Sequence, residues 1–126
     1  MKIHASAENY LESILILQKQ NGYVRSVDIA NSLGFSKPSV SVAMKQLKEN
    51  RYITVNGSGR ITLTDTGMKI ASRMYERHTL LTRILMKLGV DEETARGDAC
   101  RIEHVLSDTS FEAIKKAFED KPDNKK

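Results

Sequence analysis

Along residues 5 to 20, "ASAENYLESILILQKQ", apolar positions return every three or four places: Tyr10, Ile14 and Leu17 form one stripe, with Leu11 and Leu15 beside it. That period predicts an amphipathic helix stopped before Gly22. In "RSVDIANSLGF", Ser26 offers an N-cap, Val27, Ile29, Ala30 and Leu33 a short apolar face, and Gly34 a stop. "SKPSVSVAMKQLKENR" follows at once. Ser36 reads as its cap, Pro38 sits in the first turn where a missing N–H is harmless, and Val40, Met44 and Leu47 face inward. Two short helices joined by a tight glycine turn predict a helix-turn-helix.

The period then changes from three or four to two. "YITVNGSGRITLT" alternates apolar and polar residues on both sides of "NGSG", which predicts two short strands joined by a glycine-rich tip. Behind a helix-turn-helix such a hairpin is a wing. From Thr64 or Asp65 as cap, "TGMKIASRMYERHTLLTRILMKLG" predicts a long helix with Ile70, Met74, Leu81 and Leu85 near one face, ended by Gly89. "DEETARGDACRIEHVLS" begins with an acidic first turn suited to the helix dipole and predicts another helix. Thr109 and Glu112 have capping-box spacing ahead of "FEAIKKAF", a short last helix, and the tail "EDKPDNKK" is expected to fray.

The fold class expected is therefore mainly α: a winged helix-turn-helix over residues 1–64, followed by an α-helical domain over residues 65–126. The apolar stripes of residues 68–88 and 99–118 exceed what a domain of this size covers alone, which predicts a two-fold homodimer.

Charge sharpens the picture. The net charge is +4, and residues 1–63 carry eight Lys/Arg against four Asp/Glu, whereas residues 64–126 carry twelve of each. All the excess positive charge lies in the winged half, which points to a nucleic-acid partner there. No apolar run approaches the ~20 residues of a membrane span, and the N-terminus turns polar too early for a secretion signal. A single cysteine cannot form an internal disulfide, in keeping with a reducing compartment, so the expected location is cytoplasmic, with no membrane.

In a helix-turn-helix the second helix enters the major groove of double-stranded DNA, so its exposed residues should be small and polar with flanking cations. Ser36, Lys37, Pro38, Ser39, Ser41, Val42 and Lys45 fit that description, offering backbone hydrogen bonds, thymine-methyl contact and phosphate pairing. Arg25 and Arg60 could take further phosphates. Serines and lysines also occur on any solvated helix face; the wing and the charge asymmetry favour DNA, and two-fold symmetry would match a near-palindromic operator.

The chain's one cysteine stands in "DACRIEHVLSD", followed three and four places later by Glu103 and His104. Positions i, i+3 and i+4 share one helical face, so the three could hold a metal ion. They could equally be a buried cysteine at the edge of a packed face. Spacing alone leaves both readings open.

Together, "ENYLESI", "DIANSLGFSKPSVSVAMKQL", "LTDTGMKIA", "ERHTLLTRIL" and, most specifically, "ACRIEHVLSD" resemble the metal-dependent repressors of the diphtheria toxin repressor and manganese transport regulator family. The resemblance runs over essentially the whole chain. It implies a DNA-binding winged helix, a helical dimerisation domain, and regulatory metal bound where the first helix, the long helix and the Glu-His helix meet. Carried over by position, it implies Asn9, Glu12, His78, Cys100, Glu103 and His104 as ligands. Asn9 stands where manganese-type members have aspartate and iron-type members methionine. Cys100 follows the iron type and Glu12 the manganese type. Thr82 and Arg96 replace the carboxylate and imidazole of the iron-type ancillary site, and no third domain of the iron type has a counterpart in these 126 residues.

A thiolate beside imidazole and carboxylate favours Fe(II), Zn(II) or Co(II), while Glu12 and Asn9 pull towards Mn(II). The corepressor expected is Fe(II) or Mn(II), and the function a metal-activated repressor of metal-homeostasis genes. The alternative is a winged-helix regulator without metal, responding to a small molecule or to oxidation of Cys100. An enzyme is not expected, because no oxyanion loop or substrate signature accompanies Cys100 and His104.

Overall fold

In the computed structural model, which describes residues 5–119, α1 (Ala5–Asn21) buries the predicted stripe of Tyr10, Leu11, Ile14, Leu15 and Leu17. The chain divides into two compact units, residues 1–75 and 76–126. His4 and the charged tail from residue 120 lie outside the described residues.

In the first unit α1 is followed by α2 (Ser26–Leu33), α3 (Lys37–Glu49), β1 (Ile53–Val55) and β2 (Ile61–Leu63), and α4 (Asp65–Lys87) begins there. Leu11, Ile14, Val24, Ile29, Val40 and Ile53 form the centre of its core. Burial of side chains from all three helices and the hairpin is the main stabilising term. Gly34 takes the left-handed conformation, φ 72°, that ends α2 and starts the turn into α3. Ser36 caps α3 as expected, its Oγ accepting from the Ser39 N–H at 3.2 Å, with Pro38 in the first turn.

Two local expectations change. Ser26 is already helical, and the cap is reciprocal to the predicted one: the Arg25 N–H donates to the Asp28 carboxylate at 2.9 Å. Val27 is exposed rather than part of the buried face: Ile29 and Ala30 are buried in the core and Leu33 packs against its edge, whereas Val27 points away from it.

The hairpin is antiparallel, with Ile53 opposite Leu63 and Val55 opposite Ile61. Asn56 builds its tip, its Oδ1 accepting from the N–H groups of Ser58 and Arg60 at 3.0 and 2.9 Å. The Ile61 N–H donates to the Val24 carbonyl at 2.7 Å, tying the wing to the segment between α1 and α2. Thr64 starts α4: its Oγ1 accepts from the Gly67 N–H at 3.1 Å and donates to the Arg51 carbonyl at 2.7 Å.

The second unit holds the rest of α4, α5 (Glu92–Ile102) and α6 (Asp108–Glu119), with Leu80, Ile84 and Phe111 as its buried cluster. Gly89, φ 103°, ends α4, and Asp91 caps α5 by accepting from the Thr94 N–H at 3.0 Å. That hydrogen bond holds the Asp91 carboxyl below its ordinary pKa. Here the helix boundaries differ from expectation. α5 stops at Ile102, so Glu103 is its C-cap and His104 lies in the following turn. α6 is capped by Ser107, whose Oγ accepts from the Ser110 N–H at 3.1 Å, two residues before the predicted Thr109 box.

Candidate metal centre and nucleic-acid face

Three ligand-type residues converge at the end of α5. Cys100 sits in its last turn, Glu103 at its C-cap and His104 one residue beyond, and a thiol, a carboxylate oxygen and a ring nitrogen from the three lie within 4.8 Å of one another. The helix has ended, yet Glu103 keeps right-handed helical backbone, φ −58° and ψ −26°, and its N–H still donates to the Ala99 carbonyl at 2.9 Å. The i, i+3, i+4 geometry therefore survives the helix boundary.

Glu103 is the centre of the group and is 0% exposed. His78, from α4, places Nδ1 3.1 Å from Glu103 Oε1, and His104 Nε2 lies 3.4 Å from Glu103 Oε2. A buried carboxylate is costly unless charge or hydrogen bonds compensate it. Two imidazoles and a thiol around one carboxylate form a mixed N, O, S donor set of the kind that suits divalent transition metals. The residues present fit such an ion.

Of the other predicted ligands, Glu12 is buried and Asn9 half-buried, both on α1 in the first unit. Thr82 is buried with no hydrogen-bond partner for its hydroxyl among the described residues, and Arg96 is engaged by Glu92 four residues earlier at 2.7 Å. Arg96, a cation, offers no metal donor, and Thr82 has a neutral hydroxyl rather than a carboxylate.

On the first unit, Ser36, Lys37, Pro38, Ser39, Ser41, Val42 and Lys45 are all exposed, on the first turns and outer face of α3. Ser36 and Ser39 are partly occupied by each other, their hydroxyls 2.9 Å apart in the cap. Arg25 and Arg60 meet at one aromatic residue that the sequence reading did not single out. Their guanidinium carbons lie 5.4 and 4.8 Å from the centroid of the Tyr23 ring, and Arg25 Nε donates to the Ser58 carbonyl at the wing tip at 3.2 Å. Stacking on a ring face orients a guanidinium while leaving its remaining donors available. The "RSVDIANSLGF" window gave no sign of this, since Tyr23 and Arg60 are brought together only by the wing.

Arg77 was missed as well. Next to His78 in sequence, it is buried against the turn that carries Glu103 and His104. Its one local signal is an arginine on the apolar side of a helix, which spacing alone does not distinguish from a solvated one.

Residues 2–60 match the family described as "Iron dependent repressor, N-terminal DNA binding domain", and residues 64–124 match "Iron dependent repressor, metal binding and dimerisation domain". The chain is 37% identical over 124 residues to the HTH-type transcriptional regulator MntR of Bacillus velezensis, covering 96% of this chain and 87% of that one. It is 38% identical over 109 residues to MntR of Bacillus subtilis, covering 86% and 77%. Among solved structures it is similar to the manganese regulator SloR, with a TM-score of 0.79 and 27% identity over 97% of this chain and 56% of that one. It is also similar to a manganese-dependent transcriptional repressor complexed with manganese, with a TM-score of 0.79 and 29% identity over 92% and 53%. The chain thus spans about half the length of these solved chains. These relatives are transcriptional regulators and not enzymes, in agreement with the expectation from sequence. No helix among the described residues is long and apolar enough to cross a membrane. The chain belongs to the iron dependent repressor family, with that family's DNA-binding domain followed by its metal-binding and dimerisation domain.

Proposed function

We propose that the protein is a metal-activated, homodimeric repressor that binds a near-palindromic site on double-stranded DNA and controls metal-ion homeostasis genes in the cytoplasm. The observation that carries this reading is the convergence of Cys100, Glu103 and His104, with His78 on Glu103, inside the residues that match a metal-binding and dimerisation domain. Asn9 and Glu12, three apart on α1, complete the proposed ligand set by family position. Thr64, which ends the wing and caps α4, marks the proposed boundary between the DNA-binding residues 1–64 and the metal-binding, dimer-forming residues 65–126.

The corepressor is Fe(II) or Mn(II). The thiol of Cys100 favours the softer ion, whereas the carboxylates of Glu12 and Glu103, and similar solved structures described as manganese regulators, favour the harder one. Cys100, Glu103, His104 and His78 would hold the ion, and any preference of the metal-bound protein for the DNA-competent arrangement would be a coupling free energy between metal and operator, the same seen from either ligand. Leu88 and Val105 expose most of their apolar surface, 71% and 80%, and supply surface that a second copy would cover. Lys37, Lys45, Arg25 and Arg60 neutralise phosphates, while Ser39, Ser41 and Val42 meet base edges.

Anaerobic DNA binding titrated in parallel with Fe(II), Mn(II) and Zn(II) tests the proposal. Operator affinity should rise with one or more of these ions and fall back on chelation. DNA binding that is indifferent to all three would favour the metal-free regulator instead.

A further inference from the structure

We infer that Arg77 is a positioning residue for the metal centre, holding the turn that carries Glu103 and His104 in ligand geometry before an ion arrives. The inference rests on the metal-binding reading above. Arg77 precedes His78 on α4 and is 3% exposed. Its Nη1 donates to the carbonyl oxygens of Glu103 at 2.9 Å and Leu106 at 2.7 Å, and its Nη2 donates to Asp108 Oδ1 at 2.6 Å. The guanidinium carbon lies 5.1 Å from the centroid of the Phe111 ring.

These contacts answer a local weakness. A helix C-terminus leaves carbonyl groups without intrahelical partners, and the last turn is where helices fray. α5 ends at Ile102, so two of the ligand-type residues lie in the turn immediately after it. Arg77 satisfies the carbonyl of Glu103 itself, then reaches the far side of the turn at Leu106 and the first residue of α6 at Asp108. Its anchors, at residues 103, 106 and 108, stand on both sides of His104 in the chain. A cation at this place also suits the dipole of α5.

Only arginine supplies this arrangement, because a planar fork of donors meets three acceptors at once where a lysine offers a single nitrogen. Arg77 is buried while its carboxylate partner Asp108 is exposed, and a buried charge of this kind can often be replaced by an apolar side chain without loss of stability, so net stability is a poor explanation for it. Its position beside His78 is the better explanation. One stretch of α4 contributes a donor at His78 and fixes the two donors opposite. A loosened turn would bind an ion only in the fraction of time it holds the right geometry, and the apparent affinity would drop by that fraction.

The test uses the full chain with Arg77→Met, Arg77→Lys and Asp108→Asn. Mn(II) and Zn(II) affinities are measured by direct titration well below each variant's melting temperature, and amide hydrogen exchange of residues 103–107 is followed in metal-free protein. Arg77→Met should weaken both ions about 10- to 100-fold, the range for residues that orient metal ligands. Exchange in the turn should quicken while the amides of Ile29 and Val40 keep their protection. Arg77→Lys should recover part of the affinity, and Asp108→Asn, which removes the charge from one of three anchors, should lose less in the same direction. A folded Arg77→Met protein with wild-type metal affinity, even one that melts earlier, would overturn the inference and leave Arg77 a structural residue. Should that variant fail to fold, unchanged affinity and exchange in Asp108→Asn would overturn it equally. Wild-type protein that binds neither ion would remove the metal-binding reading and this inference together, an outcome kept separate from failure of the clamp by the wild-type titration.

Discussion

His78 and Glu103 stand 25 positions apart in the chain and 3.1 Å apart in space, Nδ1 to Oε1, around a carboxylate that solvent does not reach. If this pair and its neighbours hold an ion, the effect of each donor should follow its chemistry. His104→Ala should weaken every metal, since imidazole suits them all. Cys100→Ser should lower Fe(II) and Zn(II) affinity more than Mn(II) affinity, and Cys100→Glu should shift preference towards Mn(II). Calorimetric titration of the three variants checks this ranking; a Cys100→Ser protein with unaltered metal preference would make the thiol a packing group.

Gly67 lies in the first turn of α4, where an added Cβ would come within 2.0 Å of the Tyr52 carbonyl oxygen. Alanine is the better helix former by about 1 kcal/mol. The clash outweighs that gain, because the opposing atom is backbone and Tyr52 O already accepts from the Thr64 N–H at 3.0 Å. Gly67→Ala should therefore destabilise the winged unit by about 1–3 kcal/mol net, the usual scale of overpacking, read as a lower midpoint in urea.

Arg51, just past α3, is the one non-glycine residue with positive φ among the described residues, at 66°. A side chain in this left-handed region costs about 1–2 kcal/mol, part of which glycine returns in unfolded-chain entropy. Arg51→Gly should raise the stability of the protein by up to about 1 kcal/mol. Thermal unfolding measures it, and no change in midpoint would mean that the exposed arginine side chain offsets its own strain.

The DNA face makes two separable demands. Lys37→Glu or Ser39→Glu should abolish operator binding while leaving fold and metal affinity intact, because each puts a carboxylate against phosphate or base acceptors. Tyr23→Leu should weaken binding without removing any cation, since it takes away the ring on which Arg25 and Arg60 both stack. Fluorescence anisotropy across a salt series distinguishes the two. Loss of a phosphate contact lowers the slope by about one unit, and a Tyr23→Leu protein with wild-type affinity and slope would detach the ring from DNA binding.

What the sequence determined by itself was whatever depends on near neighbours. The α1 stripe, the cap at Ser36, the glycine stop at residue 34 and the "NGSG" hairpin were legible because periods of 3.6 and 2 and turn chemistry act over a few residues. Spacing also brought Cys100, Glu103 and His104 to one face, and family resemblance added His78. Tertiary structure decided the rest. α5 was expected to run on through the motif, yet it stops at Ile102, where the following turn is held by Arg77 from 26 to 31 positions away. Val27 turned outward because the face that α2 lays on the core is the one carrying Ile29, Ala30 and Leu33. The burial of Glu103 and Arg77, and the stacking of two arginines on Tyr23, depend on partners that lie far along the chain. Local pattern does not encode them, because the energy of a buried charge is set by what surrounds it in three dimensions.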